Sequence, residues 1–192
     1  MLSPRRLLAL ALLAALWFSP LPGLATGSMV LHMVLHLGVT AVVPALYAPK
    51  LRLPAGAMAL TLGAVAEMLV VWAWHLPSLH LWARLTTTGF ILEQASFLGA
   101  GMLLWATVRA AGGFGGAVVL LATTMHMTLL GALIGLSPRD LYGDICAGYL
   151  GLSALQEQQV AGAMMAGAGA AIYLVAALRR LGVALKLTEA TT

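Results

Sequence analysis

The stretch SMVLHMVLHLGVT, residues 28–40, sets two methionines and two histidines into an otherwise apolar run. Met29, His32, Met33 and His36 are spaced by three or four residues, which places them along one face of an α-helix. Such a helix is apolar on most sides and carries thioether and imidazole groups on one. The stretch therefore predicts a buried helix with one ligand-bearing face.

The composition around this stretch is that of an integral membrane protein. Of the 192 residues, 61% are hydrophobic and 8% charged, and the mean hydropathy is +0.98, too apolar for a water-soluble globule. The net charge of +4 does not indicate nucleic-acid binding, because the basic residues lie at the ends of apolar segments. A single cysteine, Cys146, excludes an internal disulfide framework and a thiolate-cluster metal site built from this chain alone.

Long apolar segments predict an all-α, polytopic membrane helical bundle. Five segments are long enough to cross a membrane: 28–48, 55–76, 88–108, 116–136 and 159–178. The bundle should occupy residues 26–180 and be followed by a cytoplasmic tail, 181–192. Gly131, Gly135 and the run GAMMAGAGAA (162–171) provide small residues along which helices can pack closely.

The first 25 residues have two interpretations. Two arginines, a 12-residue apolar run and small residues before Thr26 are typical of a secretory signal peptide. The alternative is an uncleaved first membrane helix, which leaves the topology of the five spans unchanged.

Basic residues orient the bundle in the membrane. If Arg5 and Arg6 are cytoplasmic, eight of the ten basic residues lie inside, as the positive-inside rule expects. Besides Arg5 and Arg6, the basic residues placed inside are Lys50, Arg52, Arg109, Arg179, Arg180 and Lys186. Arg84 and Arg139 are then outside and the C-terminus is cytoplasmic.

In this orientation polar residues gather in the outer half of the membrane. We expect His126 and the buried Glu67 to lie at about the depth of His32 and His36, with His75 near the outer surface. An ionisable group at such depth indicates function by default. Each residue also has a simpler explanation, since a buried histidine can be an interhelical hydrogen bond and a methionine can be packing.

The donor set predicts a metal site. Thioether and imidazole groups favour Cu(I), with Met29, Met33, His32, His36, His75, His126 and Glu67 as candidate residues. Zinc with three imidazoles, with Glu67 or Glu93 as general base, and haem b remain alternatives. His32 and His36 project from one helix face, so a haem would need a facing pair such as His36 and His126. No motif indicates an enzyme.

The chain also resembles a known family over residues 28–178. HMVLH, WAWHLP, LEQASFLGAGMLLW, HMTLLGALIGLSPRDLY and SALQEQQVAGAMM, in this order, are similar to the CtaG-type cytochrome c oxidase assembly factors of bacteria. The chain departs from the family at Gln94, where a histidine is common, at Glu157, where an aspartate is common, and at Ala166, where a tryptophan is common. Residues carried over are His32, His36, His75, His126, Gln158 and Gln159.

The resemblance implies a non-enzymatic assembly factor for cytochrome c oxidase, and the Met/His donor set adds the hypothesis that it holds or delivers copper at the outer face of the bacterial inner membrane. Its expected partners are cytochrome c oxidase subunits, periplasmic copper chaperones and the lipid bilayer. Two other functions remain open: a haem-binding membrane electron carrier, and a scaffold in which the histidines only join helices.

Overall fold

The computed structural model describes residues 3–48, 56–143, 145 and 150–189, and its regular elements are helical. Cys146, Lys50 and Arg52 lie outside the described residues. The α-helices are α1 (Pro4–Phe18), α2 (Leu21–Ala25), α3 (Met29–Leu37), α4 (Val43–Tyr47), α5 (Ala57–Trp74), α6 (Pro77–Leu85), α7 (Thr87–Ala110), α8 (Gly113–Gly135), α9 (Ala154–Met164) and α10 (Ala170–Glu189).

Five helical segments of the described chain are long and apolar enough to cross a membrane, which confirms the predicted polytopic bundle. They are Met29–Tyr47, Ala57–Trp74, Thr87–Ala110, Gly113–Gly135 and Ala154–Lys186. The first combines α3 and α4 through a π-helical turn, Gly38–Val42, and the last combines α9 and α10 through a second π-helical turn, Met165–Gly169.

The first span lies in the core, and its N-terminal end is fixed by a buried carboxylate. The Ser28 hydroxyl caps α3 by accepting from the Leu31 amide. Glu157, at the start of α9, accepts from the Ser28 hydroxyl and the Val30 amide, both at 2.8 Å. A carboxylate is favourable at a helix N-terminus, where amide groups lack partners. Glu157 therefore joins the last span to the first and orients α3.

Glycines allow the spans to approach closely. A Cβ on Gly131 would lie 2.6 Å from the Ala166 amide nitrogen. Gly101 of α7 faces the backbone of Thr40 in the first π-helical turn with no room for a side chain. The small residues pack closely as predicted, with α8 against the run 162–171, and α7 lies directly against the residues that follow His36.

The N-terminal residues pack on the first span. Leu16 of α1 contacts Gly38, and the Trp17 indole donates to the Gln94 side-chain oxygen at 3.3 Å. The interpretation of residues 1–25 as a signal peptide, like its alternative of a first membrane helix, stays a prediction.

Between the second and third spans, α6 folds back onto α7. Pro77 opens this short helix, and the Thr86 hydroxyl caps the next one by accepting from the Gly89 amide at 3.0 Å. His80 and Arg84 are on the inner face of α6 and are 1% and 7% exposed. A segment that connects two spans thus adds two polar side chains to the buried interior.

Candidate metal centre

Four histidines from three segments meet in the interior. His32 and His36 come from α3, His75 directly follows α5, and His80 lies on α6. Their ring centroids are 4.8 Å apart for His32 and His80, 5.1 Å for His36 and His75, and 5.9 Å for His32 and His75. Phe97 of α7 packs against the His36 ring at 4.3 Å. We call these four residues the histidine cluster.

A buried ion pair lies against the histidine cluster. The Arg84 guanidinium donates to Glu93, and both side chains are fully buried. Gln94 also donates to the same Glu93 oxygen at 3.2 Å. One ligand atom each from His32, His80 and Glu93 lie within 4.8 Å of one another. The histidine cluster thus lies beside one cation, Arg84, and one anion, Glu93, whose charges cancel.

His75 and His36 each have a ring nitrogen available for a ligand. The His75 Nδ1–H donates to the Val71 carbonyl at 2.7 Å, which leaves the lone pair on Nε2. Such a bond fixes the tautomer of metal-binding histidines. The His36 Nδ1 lies 3.3 Å from the Thr40 hydroxyl, and in the tautomer whose Nδ1–H donates to this hydroxyl the lone pair is on Nε2. The Nε2 atoms of His36 and His75 are buried and have no partner among the described residues.

His32 is in a different state because of Arg84. The guanidinium lies 3.0 Å from the His32 Nδ1 and can only donate, so Nδ1 accepts and the neutral ring carries its proton on Nε2. Arg84 also donates to the Ala25 carbonyl at 3.3 Å. The lone pair of His32 is therefore used by Arg84 and becomes available to a ligand only when that bond breaks.

Burial keeps the imidazoles outside the membrane spans neutral. It lowers the pKa of His75 from 6.5 to about 4, with the nearby Arg84 cation as a further cause and the bond to Val71 acting in the opposite direction. The pKa of His80 is lowered well below 6.5 by burial and then by Arg84. Because a metal binds only deprotonated imidazole, these two rings need lose no proton to act as ligands at neutral pH.

The structure brings together only part of the predicted site. His32, His36 and His75 lie in the histidine cluster, and Met29 and Met33 are fully buried on the same helix. Their assignment as ligands stays a prediction.

Glu67 and His126 form a separate pair. The His126 Nε2 lies 2.8 Å from one Glu67 oxygen, and the Tyr173 hydroxyl donates to the other at 3.4 Å. Among the described residues, no ring contact or hydrogen bond joins His126 to His32, His36 or His75. This geometry is that of an interhelical contact linking α5, α8 and α10.

Two residues of the cluster region were not predicted as site residues. His80 and Arg84 lie in a segment that reads as a polar connection between spans, and neither belongs to the Met/His pattern of α3. The available signal was their spacing of four residues in PSLHLWARL, which places both on one face of a short helix opened by proline.

Comparison with known families agrees with the helical architecture and with the expected resemblance. The model of the cytochrome c oxidase caa3 assembly factor family, Caa3_CtaG, matches residues 54–182. The chain belongs to this family. No curated protein and no solved structure matches it.

Family membership makes this chain a multi-pass membrane protein with oxidase-related partners, and it suggests a non-catalytic role. The matched residues include His75, His80, Arg84 and Glu93 but begin after the first span. His32 and His36 thus belong to the histidine cluster by geometry rather than by the family match. Gln94, where the resemblance implies a histidine, donates a hydrogen bond to Glu93 beside the histidine cluster.

Proposed function

We propose that the protein holds or passes copper, as Cu(I), at the outer face of the bacterial inner membrane during assembly of cytochrome c oxidase, with its C-terminus in the cytoplasm. The observation that carries this proposal is the pair of buried Nε2 atoms of His36 and His75, without partners among the described residues, on rings 5.1 Å apart. A buried polar atom without a partner is costly unless a ligand satisfies it.

The donor chemistry favours a monovalent, soft cation. Imidazole and thioether groups suit Cu(I), and Met29 and Met33 lie on the same helix as His32 and His36. The Arg84–Glu93 pair is neutral as a whole, and one oxygen of Glu93 has no partner among the described residues. A buried charge becomes more costly as it grows, so a site with this little negative charge supports Cu(I) better than a divalent ion.

Arg84 would regulate the third imidazole. It holds the His32 Nδ1 at 3.0 Å, so His36 and His75 would bind first and His32 would follow when Arg84 turns away. Binding of all three imidazoles would favour uptake from a periplasmic copper chaperone, and reversal of this step would weaken the site and favour release to an oxidase subunit. In this arrangement the negative charge of Glu93 would stabilise the bound Cu(I) cation.

A haem b carrier has less support from the same geometry. A haem needs two imidazoles on opposite sides of a macrocycle much wider than a side chain. The rings of His36, His75 and His80 lie 4.8 to 6.1 Å from the His32 ring, and those of His36 and His75 lie 5.1 Å apart, which favours a single ion. A Soret band in the purified protein would reverse this preference.

Cu(I) titration of the detergent-purified protein against a chromogenic Cu(I) chelator tests the proposal. We expect a stoichiometric site in the wild type, its loss in His36→Ala/His75→Ala, and its retention in His126→Gln, where glutamine can still donate to Glu67. Equal binding by the wild type and the double variant would refute the site, and loss in His126→Gln alone would move it to the Glu67 pair.

Oxidase assembly separates copper handling from scaffolding. In cells, His32→Ala/His36→Ala should abolish assembly of active oxidase while the protein still accumulates in the membrane. Normal oxidase assembly with this variant would favour a scaffold in which the histidines only hold helices together.

A further inference from the structure

Four arginines line one cavity at the end of the bundle away from the histidine cluster. The cavity measures about 710 Å³ and lies between α1, α4, α7 and α10. Its cationic lining consists of Arg5, Arg109, Arg179 and Arg180. Arg109 ends α7, whereas Glu93 lies near its start, 16 residues or about 24 Å away along the helix. This cavity is therefore independent of the proposed copper site.

Three of the arginines donate to backbone carbonyls, and in the part of the chain that the structure describes none of the four forms an ion pair with a carboxylate. Arg5 and Arg109 both donate to the Ala45 carbonyl, Arg109 at 3.1 Å. Arg109 also donates to the Ala48 carbonyl at 2.9 Å, and Arg180 donates to the Val108 carbonyl. The ion pairs among the described residues, Arg84–Glu93 and His126–Glu67, lie elsewhere. Like charges that share an acceptor repel one another, and an anion between them would remove this cost.

The other walls of the cavity are apolar. Leu46, Trp105, Ile172 and Val175 line it beside the arginines. Val175 is 46% exposed on the outside of the bundle, so the cavity continues onto the lipid-facing surface. Basic groups next to such a surface at a membrane interface match the two parts of a phospholipid: an anionic head and apolar chains.

We propose that this cavity binds the headgroup of an anionic phospholipid of the cytoplasmic leaflet. The phosphodiester would lie among Arg109, Arg179 and Arg5, since guanidinium groups bind phosphate oxygens in pairs. The acyl chains would follow Ile172 and Val175 along α10. The positive-inside rule requires only that basic residues lie on the cytoplasmic side. That four arginines line the same cavity adds a binding site for one lipid.

Arg179 provides the clearest test. It is exposed and makes no hydrogen bond to another described residue, so Arg179→Gln removes charge without removing an internal contact. Arg139, in the outer loop and exposed, is the matched control.

The experiment measures the midpoint of thermal unfolding of the full-length protein in detergent micelles with added phosphatidylglycerol, phosphatidylcholine or inorganic phosphate. We expect phosphatidylglycerol alone to raise the midpoint. The shift should be reduced by at least half in Arg179→Gln, lost in Arg109→Gln/Arg179→Gln, and unchanged in Arg139→Gln. Arg109→Lys/Arg179→Lys, which keeps the charge, should recover part of it.

Equal shifts with phosphatidylglycerol and phosphatidylcholine, or an unchanged shift in Arg179→Gln, would overturn the proposal. A shift that inorganic phosphate reproduces at the same concentration would also overturn it, because the site would then recognise free phosphate rather than lipid. If the double glutamine variant does not fold, native mass spectrometry of Arg179→Gln decides, with fewer retained phosphatidylglycerol adducts than Arg139→Gln expected.

Discussion

The histidine cluster and the Glu67–His126 pair contain the same kinds of side chain and use them differently. In the pair, both Glu67 oxygens are bonded, one to His126 at 2.8 Å and one to Tyr173 at 3.4 Å. Beside the histidine cluster, the carboxylate of Glu93 forms an ion pair with Arg84 instead of accepting from an imidazole. The position of the carboxylate therefore decides whether a buried imidazole acts as an interhelical bond or keeps a nitrogen for a ligand.

Glu93→Gln should have the largest effect on stability. It leaves the fully buried Arg84 cation without its anion, and breaking a buried pair costs about 3–5 kcal/mol. Unfolding in mixed micelles with increasing denaturing detergent measures the change.

The matching double variant separates charge from packing. Arg84→Met/Glu93→Met removes both charges and should recover most of the stability lost in Glu93→Gln, because two apolar side chains can replace a buried ion pair. A cost below about 1 kcal/mol for Glu93→Gln would contradict the geometry of the cluster.

Acidification should destabilise the protein through the histidine cluster. The pKa of His75 is 6.5 in the unfolded chain and about 4 in the folded protein, where burial lowers it. Between these pH values the unfolded state binds more protons, so stability falls as the pH falls. At pH 5 the loss from His75 alone is about 2 kcal/mol. Thermal unfolding at pH 7.5 and pH 5 in wild type and His75→Gln checks this, and equal pH dependence in both would be evidence against it.

Thr40→Val tests the neighbour that orients His36. The hydroxyl lies 3.3 Å from the His36 Nδ1, and loss of a partner that orients a metal-binding imidazole weakens affinity by about tenfold or more. Thr123→Val is the control, since Thr123 bonds only its own helix, at the Val119 carbonyl. Cu(I) titration should separate the two variants, and identical affinities would remove Thr40 from the site.

Glu67→Gln should have the smallest effect. Glutamine keeps an oxygen that accepts from His126 or Tyr173, so we expect a loss of about 1 kcal/mol, typical of one hydrogen bond. The same unfolding measurement as for Glu93→Gln applies. A loss as large as that of Glu93→Gln would mean that the two buried carboxylates do not differ in the way their contacts indicate.

Much of the fold was predictable because it depends on local pattern. Long apolar segments predict the five spans, and the predicted segment 88–108 falls within Thr87–Ala110. Gly131 and Gly162 pack as their small size predicts. The interior position of Glu67 also followed from its charge, since a carboxylate within a span avoids lipid.

The site was less predictable because it depends on how helices are rotated and connected. Depth alone placed His126 near His32 and His36, but depth does not specify which neighbour a side chain faces. The fold-back of α6 after Pro77 brings His80 and Arg84 inside, and no periodicity in the spans predicts it.

By itself, the sequence determined the helical membrane architecture, the asymmetric distribution of charge and the alignment of His32 and His36 on one face, because hydropathy and helical period act over a few turns. Only the tertiary structure decided that His75 and His80 join them, that Arg84 and Glu93 pair beside them and that His126 bonds Glu67. These partnerships arise from the packing of separate helices, where burial penalises every polar atom that does not find a partner.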